Sequence, residues 1–455
     1  TIDLSNGNLI YMTQSANTTV AFANTEGNTD VVYLVRVKDD TTTARTITWP
    51  SGMIWNGGTE PTLSNAIDNS DEAQVFKLTT RDNGATWYGS EVVSFPSGYE
   101  LYVWGGSSYG ELGINMTDGG DRSSPIQIPG LWNVPKLNET SEHNIFKKGG
   151  NLWVVGRNNE GQLGLNNTTQ YSSPIQIPGT SSWSKISSVR FHTIGVRNDG
   201  TLWAWGKNNY GALGQNNTTY YSSPVQIPGT TWSSVVATDG GFNALKTDGT
   251  LWGCGYNDEG NLAQNNRTKY SSPVQIGSAT DWSKLSSASY VNSAAIKTDG
   301  TLWTWGYNDK GQLGQNQAFP GLKTTSSPVQ VPGTTWSNIS CGRQGPIAVK
   351  TNGTLWVWGA NEKGGLGQNS VSPGGVSSPV QIPGTTWSLT EIRSISAGEG
   401  NMAMKTDGTL WSWGTNQAGN LGINIDGGAR SSPTQIPGTD WNVLGGGKAI
   451  AATRS

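Results

Sequence analysis

A chain of 455 residues with 62 glycines, 21 tryptophans and 13% charged residues is too long for one ordinary core. Its composition suits many short strands joined by tight turns, and excludes a helical bundle or a disordered chain. The formal net charge is −3, split as 11 acidic and 5 basic residues over 1–97 and 21 acidic and 24 basic over the rest; no Lys/Arg stripe able to release counterions from phosphates is present, so nucleic acid is not an expected partner.

No apolar run approaches the ~20 residues that cross a bilayer, and the opening TIDLSNGNLIYM lacks the basic start and apolar middle of a signal peptide. A soluble chain without membrane insertion is expected. The two cysteines, Cys254 and Cys341, fall in different repeats without metal-ligand spacing, which predicts buried free thiols.

Residues 1–97 read as a separate β-domain. Alternating runs at 31–37, 44–49, 73–80 and 86–93, divided by Asn/Gly/Asp turns, predict a small β-sandwich or jelly-roll-like module. The stretch 47–89, with WPSG, WNGGTEPTL and GATWYG in that order, resembles a segment of phage tail-fibre and other virion proteins.

From residue 98 onward one pattern recurs. LYVWG at 101–105 is followed by LWVVG at 152–156, LWAWG at 202–206, LWGCG at 251–255, LWTWG at 302–306, LWVWG at 355–359 and LWSWG at 410–414, and an SSP triplet trails each copy. Within the third copy four short strands are predicted: the run after Trp183, then TIGVR, LWAWG and SPVQIP. The Asp199-Gly200 turn between the second and third is a hairpin signal, repeated at Asp248-Gly249, Asp299-Gly300, Asn352-Gly353 and Asp407-Gly408. A four-stranded meander returning about every 50 residues marks a propeller blade.

The last unit stops after two strands, and the missing third strand stands at 97–105. The fold class expected is therefore all-β: a seven-bladed β-propeller over 98–455, closed by a composite blade from 98–130 plus 441–455. Of the tryptophans, eleven lie in the LWxWG strands, seven precede a first strand and three belong to 1–97. Such regularity predicts blade packing, not a sugar-binding ladder.

The unit H-x-x-x-L-x-x-D-G-x-L-W-x-W-G-x-N-x-x-G-Q-L-G resembles the regulator-of-chromosome-condensation repeat over about 355 residues. His192 in RFHTIGVRNDGTLWAWG matches the family's recurrent histidine, which the resemblance implies is structural. The family's founder is an exchange factor for a small GTPase that docks on chromatin, but a basic tail suited to chromatin is missing here. Bacterial relatives of the fold include a β-lactamase inhibitor, so such rings also serve as protein-binding surfaces.

Catalytic chemistry is not evident. There is no HExxH, P-loop or GxSxG, and only His143 and His192 occur. Glycoside hydrolysis needs two convergent carboxylates, and the loop acids Asp118, Asp121, Glu160, Glu259 and Asp426 are scattered. Calcium ligation by the Asp118 and Asp426 turns fits ligand-loop spacing poorly. No catalytic residue, cofactor or metal is expected.

Alternating chain direction puts the loops between strands one and two and between three and four on one side of the blades. That side varies among repeats: Tyr109, Glu160, Tyr210, Glu259, Lys310 and Lys363 precede the loop glycine, and Glu139, Arg190, Asp239, Tyr290, Arg343 and Glu399 occupy the inner loops. Length changes fall there too, as around Phe319. Variable loops on a constant scaffold predict a partner-binding face.

The leading expectation is a non-enzymatic phage structural protein: a tail-fibre, receptor-binding or capsid-decorating component located on the virion. Residues 1–97 would attach it to other virion proteins or oligomerise it, and the propeller would meet a host-surface receptor or glycan. The alternative is a bacterial propeller, secreted or cytoplasmic, that binds or inhibits another protein. A polysaccharide-degrading virion enzyme is a third reading.

Overall fold

Five of the repeats share a tight turn that their sequence marks strongly. Gly200 has φ 77°, a left-handed conformation that a tight hairpin needs and that glycine adopts without strain. Asp199 Oδ1 accepts from the Thr201 N–H at 2.9 Å and the Thr201 hydroxyl at 2.6 Å. The Thr201 oxygen in turn accepts from the Trp203 indole at 2.8 Å. The same relay runs through Asp248, Thr250 and Trp252, through Asp299, Thr301 and Trp303, through Asn352, Thr354 and Trp356, and through Asp407, Thr409 and Trp411. A DGTLW string thus sets turn, register and indole orientation together.

In a computed structural model of the chain, the described residues are 2–3, 9–14, 18–20, 22–23, 30–38, 46–51, 53–55, 60, 72–80, 86–96, 99–116, 120–132, 142–148, 151–179, 182–287, 292–317, 323–342, 345–395, 400–446 and 449–454. They divide into two compact units: 1–99 with 131–133 and 148–150, and the remainder. Among them no helix is long and apolar enough to cross a membrane.

The larger unit is made of propeller blades. Trp183–Val189, His192–Arg197, Leu202–Gly206 and Tyr221–Ile227 form an antiparallel four-stranded sheet in sequence order, with Val189 opposite His192 and Leu202 opposite Ile227. Four more sheets repeat it, from Trp232, Trp282, Trp336 and Trp387 onward, and His143–Lys148, Asn151–Gly156 and Tyr171–Gln176 form a three-stranded one. The seventh sheet joins distant segments. Its order is Trp441–Gly446, Ala449–Arg454, Tyr99–Gly105 and Arg122–Trp132, with Leu101 opposite Thr453 and Gly105 opposite Ala449.

The core lies between successive sheets. One apolar cluster joins Val189, Ile194, Leu202 and Ile227 of one blade to Trp232, Val235, Phe242 and Cys254 of the next. The second LWxWG tryptophan reaches back across this boundary: Trp205 donates to the Gln162 carbonyl at 2.9 Å, Trp305 to Asn261 at 2.8 Å, Trp358 to Gln312 at 2.9 Å and Trp413 to Gly365 at 2.9 Å. Trp104 makes the same bond to Asn420 at 3.1 Å. In the other direction, Asn166 at φ 56° donates its N–H to the Ser222 carbonyl of the next blade at 2.8 Å, and Asn424 at φ 61° donates to Ser123 at 2.9 Å. Gly161 lies so close to that strand that a Cβ would stand 2.6 Å from the Ser222 Cα. Cys254 takes the tryptophan position in its blade, where its thiol donates to the Gly211 carbonyl at 3.3 Å; both cysteines are buried and free.

The smaller unit differs from the predicted sandwich. Its described residues form one five-stranded mixed sheet, in the order Leu9–Gln14, Asp30–Lys38, Glu72–Thr80, Trp87–Pro96, Met53–Trp55, with two short parallel ladders beside it. The outer pairings are parallel and so need crossovers, which alternation within a strand does not reveal. Phe76, Leu78, Leu34 and Trp87 form the core, and Trp49 and Trp55 pack edge-on at 5.0 Å.

Candidate partner-binding face

The two ends of the blades are built differently. At the Asp-Gly end every described full repeat clamps a cation between two tryptophans: Arg197 lies 4.3 Å from the Trp203 ring centre and 5.0 Å from Trp183, Lys246 lies 4.1 Å from Trp252 and 4.9 Å from Trp232, and Lys350 and Lys405 do likewise. The Thr201 hydroxyl, followed by its amide, holds the Asp199 carboxyl below the usual carboxylate range, and Asp248, Asp299 and Asp407 are held the same way. Such sameness serves the scaffold.

The opposite end is individual. The loop between Val189 and His192 carries Arg190 and half-buried Phe191. Three cations gather on the Phe191 ring: Lys207 at 4.4 Å, Arg190 at 4.9 Å and Arg157 at 5.4 Å. Glu142 ties two of them, pairing with Arg157 and, at 2.7 Å, with Arg190. Arg157 also lies 5.2 Å from the Tyr109 ring centre. Asp239, in the next blade, is exposed as a residue but has its carboxyl crowded by protein; that desolvation raises its pKa against the pull of Arg190 and Lys207. Cation–π contacts contribute about 0.5–2 kcal/mol each, rising as water is excluded, so a partner covering this cluster would strengthen it.

A second cluster follows. Tyr210, 44% exposed, lies with its ring centre 5.1 Å from that of Tyr256 at a 55° tilt, and Lys269 lies 4.9 and 5.2 Å from their rings while pairing with Asp258 at 3.0 Å. Burial raises the Tyr256 hydroxyl pKa, and the charges of Asp258 and Glu259 add to the effect. Further on, Lys310 pairs with Glu362 at 2.9 Å, which raises the Lys310 pKa. The backbone beneath these variable side chains is fixed: the N–H groups of Tyr109, Glu160 and Lys310 donate to Glu111, Gln162 and Gln312 at 2.6, 2.9 and 2.8 Å.

Of the residues singled out from sequence, Arg190 lies on Phe191, Tyr109 joins that cluster through Arg157, Asp239 feels the charges of Arg190 and Lys207, Tyr210 lies against Tyr256, on which the Glu259 charge acts, and Lys310 has its own ion pair. The Glu160 charge acts on Tyr220, and exposed Lys363 joins neither cluster. Tyr290, Phe319, Arg343 and Glu399 lie outside the described residues, as do Asp118 and Glu139. Sequence reasoning missed Glu142, Arg157, Phe191, Lys207 and Tyr256. Three of them stand one position after the LWxWG glycine, a column that reads Gly106, Arg157, Lys207, Tyr256, Tyr307, Ala360 and Thr415 and is as variable as the columns chosen.

The histidines are interior. The Thr193 hydroxyl already donates to the Gln162 carbonyl at 2.9 Å, so His143 Nε2–H is the donor in its 3.1 Å contact with Thr193. His192 Nε2–H donates to the Gly241 carbonyl at 3.0 Å. Burial lowers the pKa of His143 to about 3, helped by His192, and lowers that of His192 to about 4. Both are neutral structural groups linking adjacent blades. Asp121 accepts from the Ser107 N–H at 3.4 Å and Asp426 from the Gly427 N–H at 2.8 Å, each within its own blade. Among the described residues no three His, Cys, Asp or Glu side chains gather as a metal-ligand set.

Stacked four-stranded repeats with blade-to-blade cores define a β-propeller protein. The model of the regulator of chromosome condensation (RCC1) repeat matches four stretches of it, residues 149–196, 199–241, 299–349 and 352–403. The chain is 33% identical over 148 residues to the Protein RCC2 homolog of Xenopus laevis, covering 32% of this chain and 28% of that protein. It is 29% identical over 159 residues to the ultraviolet-B receptor UVR8 of Arabidopsis thaliana, covering 34% of each. These matches therefore span about a third or less of the relatives' length. The solved structure of Prp20p from Saccharomyces cerevisiae, described together with its binding properties to Gsp1p and histones, superposes with a TM-score of 0.68 at 18% identity, covering 79% of this chain and 92% of that one. That likeness is one of fold.

These relatives belong to eukaryotic cells and overturn the leading expectation of a phage structural protein, together with its virion and host-receptor or glycan partners and its location on a particle. The misleading signal was the aromatic-rich stretch 47–89. Trp49, Trp55, Phe76 and Trp87 within it are the packing core of a small sheet, and a small sheet needs large rings in any biological setting.

Proposed function

We propose that this chain is a non-enzymatic, protein-binding regulator that holds its partner on the loop side of the propeller. The carrying observation is the contrast between the blade ends: one repeats a single cation–tryptophan clamp, and the other gathers Arg157, Arg190 and Lys207 on Phe191 and sets exposed Tyr210 against Tyr256. Half-exposed aromatic rings with arginines are the usual anchors of protein interfaces. The binding of Gsp1p and histones ascribed to the yeast relative supports a protein as the partner. The reading includes a closed ring of blades, supported by the pairing of Tyr99–Gly105 with Ala449–Arg454 and the Asn424 to Ser123 bond. It also treats residues 1–97 as a separate β-domain.

Gsp1p and histones serve as defined probes. Titration of either with the wild-type chain, an Arg190→Glu/Tyr210→Ala double variant and an Asp199→Asn control tests the reading. Binding weakened tenfold or more by the double variant alone is expected. Binding that survives the double variant overturns the loop-side assignment, and no binding to either probe overturns the kinship of partners on which the reading draws.

A further inference from the structure

Arg393 is 6% exposed, a degree of burial that arginine almost never reaches unless it is paired. Its Nη1 donates to the carbonyl of its own neighbour Ile392 at 2.7 Å, while Nη2 is buried without a partner. A guanidinium stays protonated at any ordinary pH, so it cannot escape burial by neutralising as a lysine or carboxylate would. An unpaired buried charge of this kind calls for a counter-charge.

Strand register shows what is unusual at this position. Arg393 stands opposite Met402, in the place that Ser187 holds opposite Ile194 and Ser286 holds opposite Ala294 in their blades. Those serine hydroxyls accept N–H groups from the first strand of the following blade: Ala237 donates to Ser187 and Cys341 to Ser286, both at 2.8 Å. In the blade after Arg393 the equivalent residue is Gly446, opposite Ile450 as Ala237 is opposite Phe242. Arginine offers no acceptor. A donor-only side chain has therefore replaced an acceptor at a position whose counterpart in the next blade, Gly446, carries no side chain.

We propose that a small oxyanion, of phosphate or carboxylate type, binds between the Arg393 guanidinium and the Gly446 amide, at the junction of the last full repeat with the sheet made from both segments. The planar guanidinium fork supplies paired N–H donors, the glycine amide supplies another, and Gly446 carries no side chain to compete for the ion. The ion accepts from both and so does the bridging that a serine hydroxyl does between other blades. This site is independent of the partner-binding reading.

Thermal unfolding in inorganic phosphate and in acetate, each against chloride at matched ionic strength, tests it. The wild-type chain should gain a saturable increase of a few degrees in Tm in at least one of the two anions, and which anion acts identifies the class. Arg393→Ser restores the hydroxyl of the neighbouring blades and should fold well yet lose the anion-dependent increase. Equal responses in both proteins, or no wild-type response beyond chloride, would overturn the proposal. Phosphorus NMR titration of the wild-type chain provides a readout without any variant: one phosphate per chain is expected if phosphate is the anion that acts, and a stabilising phosphate effect without a bound stoichiometry would overturn the site.

Discussion

Trp104 donates its indole N–H to the Asn420 carbonyl at 3.1 Å, the same bond that Trp205 makes to Gln162 at 2.9 Å. The first LWxWG strand is thus held by the last repeat as the third is held by the second. Trp104→Ala removes a fully buried ring together with this bond and should cost about 3–5 kcal/mol, as should Trp205→Ala. Chemical denaturation of the two variants compares them; an undiminished Trp104 variant would show that the junction is not held in this way.

The asparagines bridging adjacent blades adopt positive φ, 56° at Asn166 and 61° at Asn424. Asn424→Gly keeps that backbone available and should change stability by a few tenths of a kcal/mol, whereas Asn424→Val should lose about 1–2 kcal/mol, because a β-branched residue is strained there. Urea unfolding midpoints at equal slope distinguish the two outcomes.

Thr201 links the Trp203 indole to the Asp199 carboxylate. In Thr201→Val the Asp199 pKa should rise towards the ordinary carboxylate range, since the Thr201 hydroxyl is the largest cause of its depression. Carboxyl-carbon NMR titration reads this directly, and an unmoved Asp199 would remove the hydroxyl from the account.

His143 and His192 are neutral in the fold, with pKa values lowered to about 3 and about 4 from 6.5. An unfolded chain takes up protons at these sites once pH falls below about 6.5, while the folded chain does so only near 3–4. Their contribution is therefore fully present above pH 6.5 and is lost progressively as pH falls from 6.5 to about 4 for His192 and about 3 for His143. Stability measured from pH 7 to 5 should drop less steeply in His192→Asn than in wild type; parallel pH profiles would contradict the linkage.

Glu142 restrains both Arg157 and Arg190. Because the Glu142–Arg157 pair is largely buried, at 10% and 14% side-chain exposure, Glu142→Gln leaves Arg157 without its counter-charge and should cost about 3–5 kcal/mol. Binding of a partner on this side should also change, as Arg190 leaves the Phe191 ring. Calorimetric titration alongside thermal unfolding separates the two effects.

Much of the propeller was legible because its signals are local. An Asp-Gly turn, a threonine two positions beyond the Asp and a tryptophan two further on specify a hairpin within six residues, and the repeat prints it several times. The loop clusters were less legible. Phe191 meets Lys207 through strand pairing in its own blade, where the Lys207 N–H donates to the Phe191 carbonyl at 2.9 Å, and meets Arg157 only because the preceding blade packs beside it, so reading single loops cannot show that convergence. In the smaller unit the strands at 31–37, 73–80 and 86–93 were placed nearly correctly, yet the parallel neighbours at 9–14 and 53–55 come through crossovers that leave no periodic trace. The biological setting was misread for a different reason: the resemblance rested on the order of WPSG, WNGGTEPTL and GATWYG in one short stretch, and a local string does not fix where a protein works.

The seventh sheet also imposes an order in time. Tyr99–Gly105 pairs with Ala449–Arg454, so as the ribosome delivers the chain, its earliest propeller strand must wait through the synthesis of six further LWxWG repeats before its neighbour exists. Until residue 454 has emerged, one side of that strand presents unpaired peptide groups to every other nascent chain nearby. A chaperone covering Tyr99–Gly105 would be needed most late in translation, when the other blades have already folded.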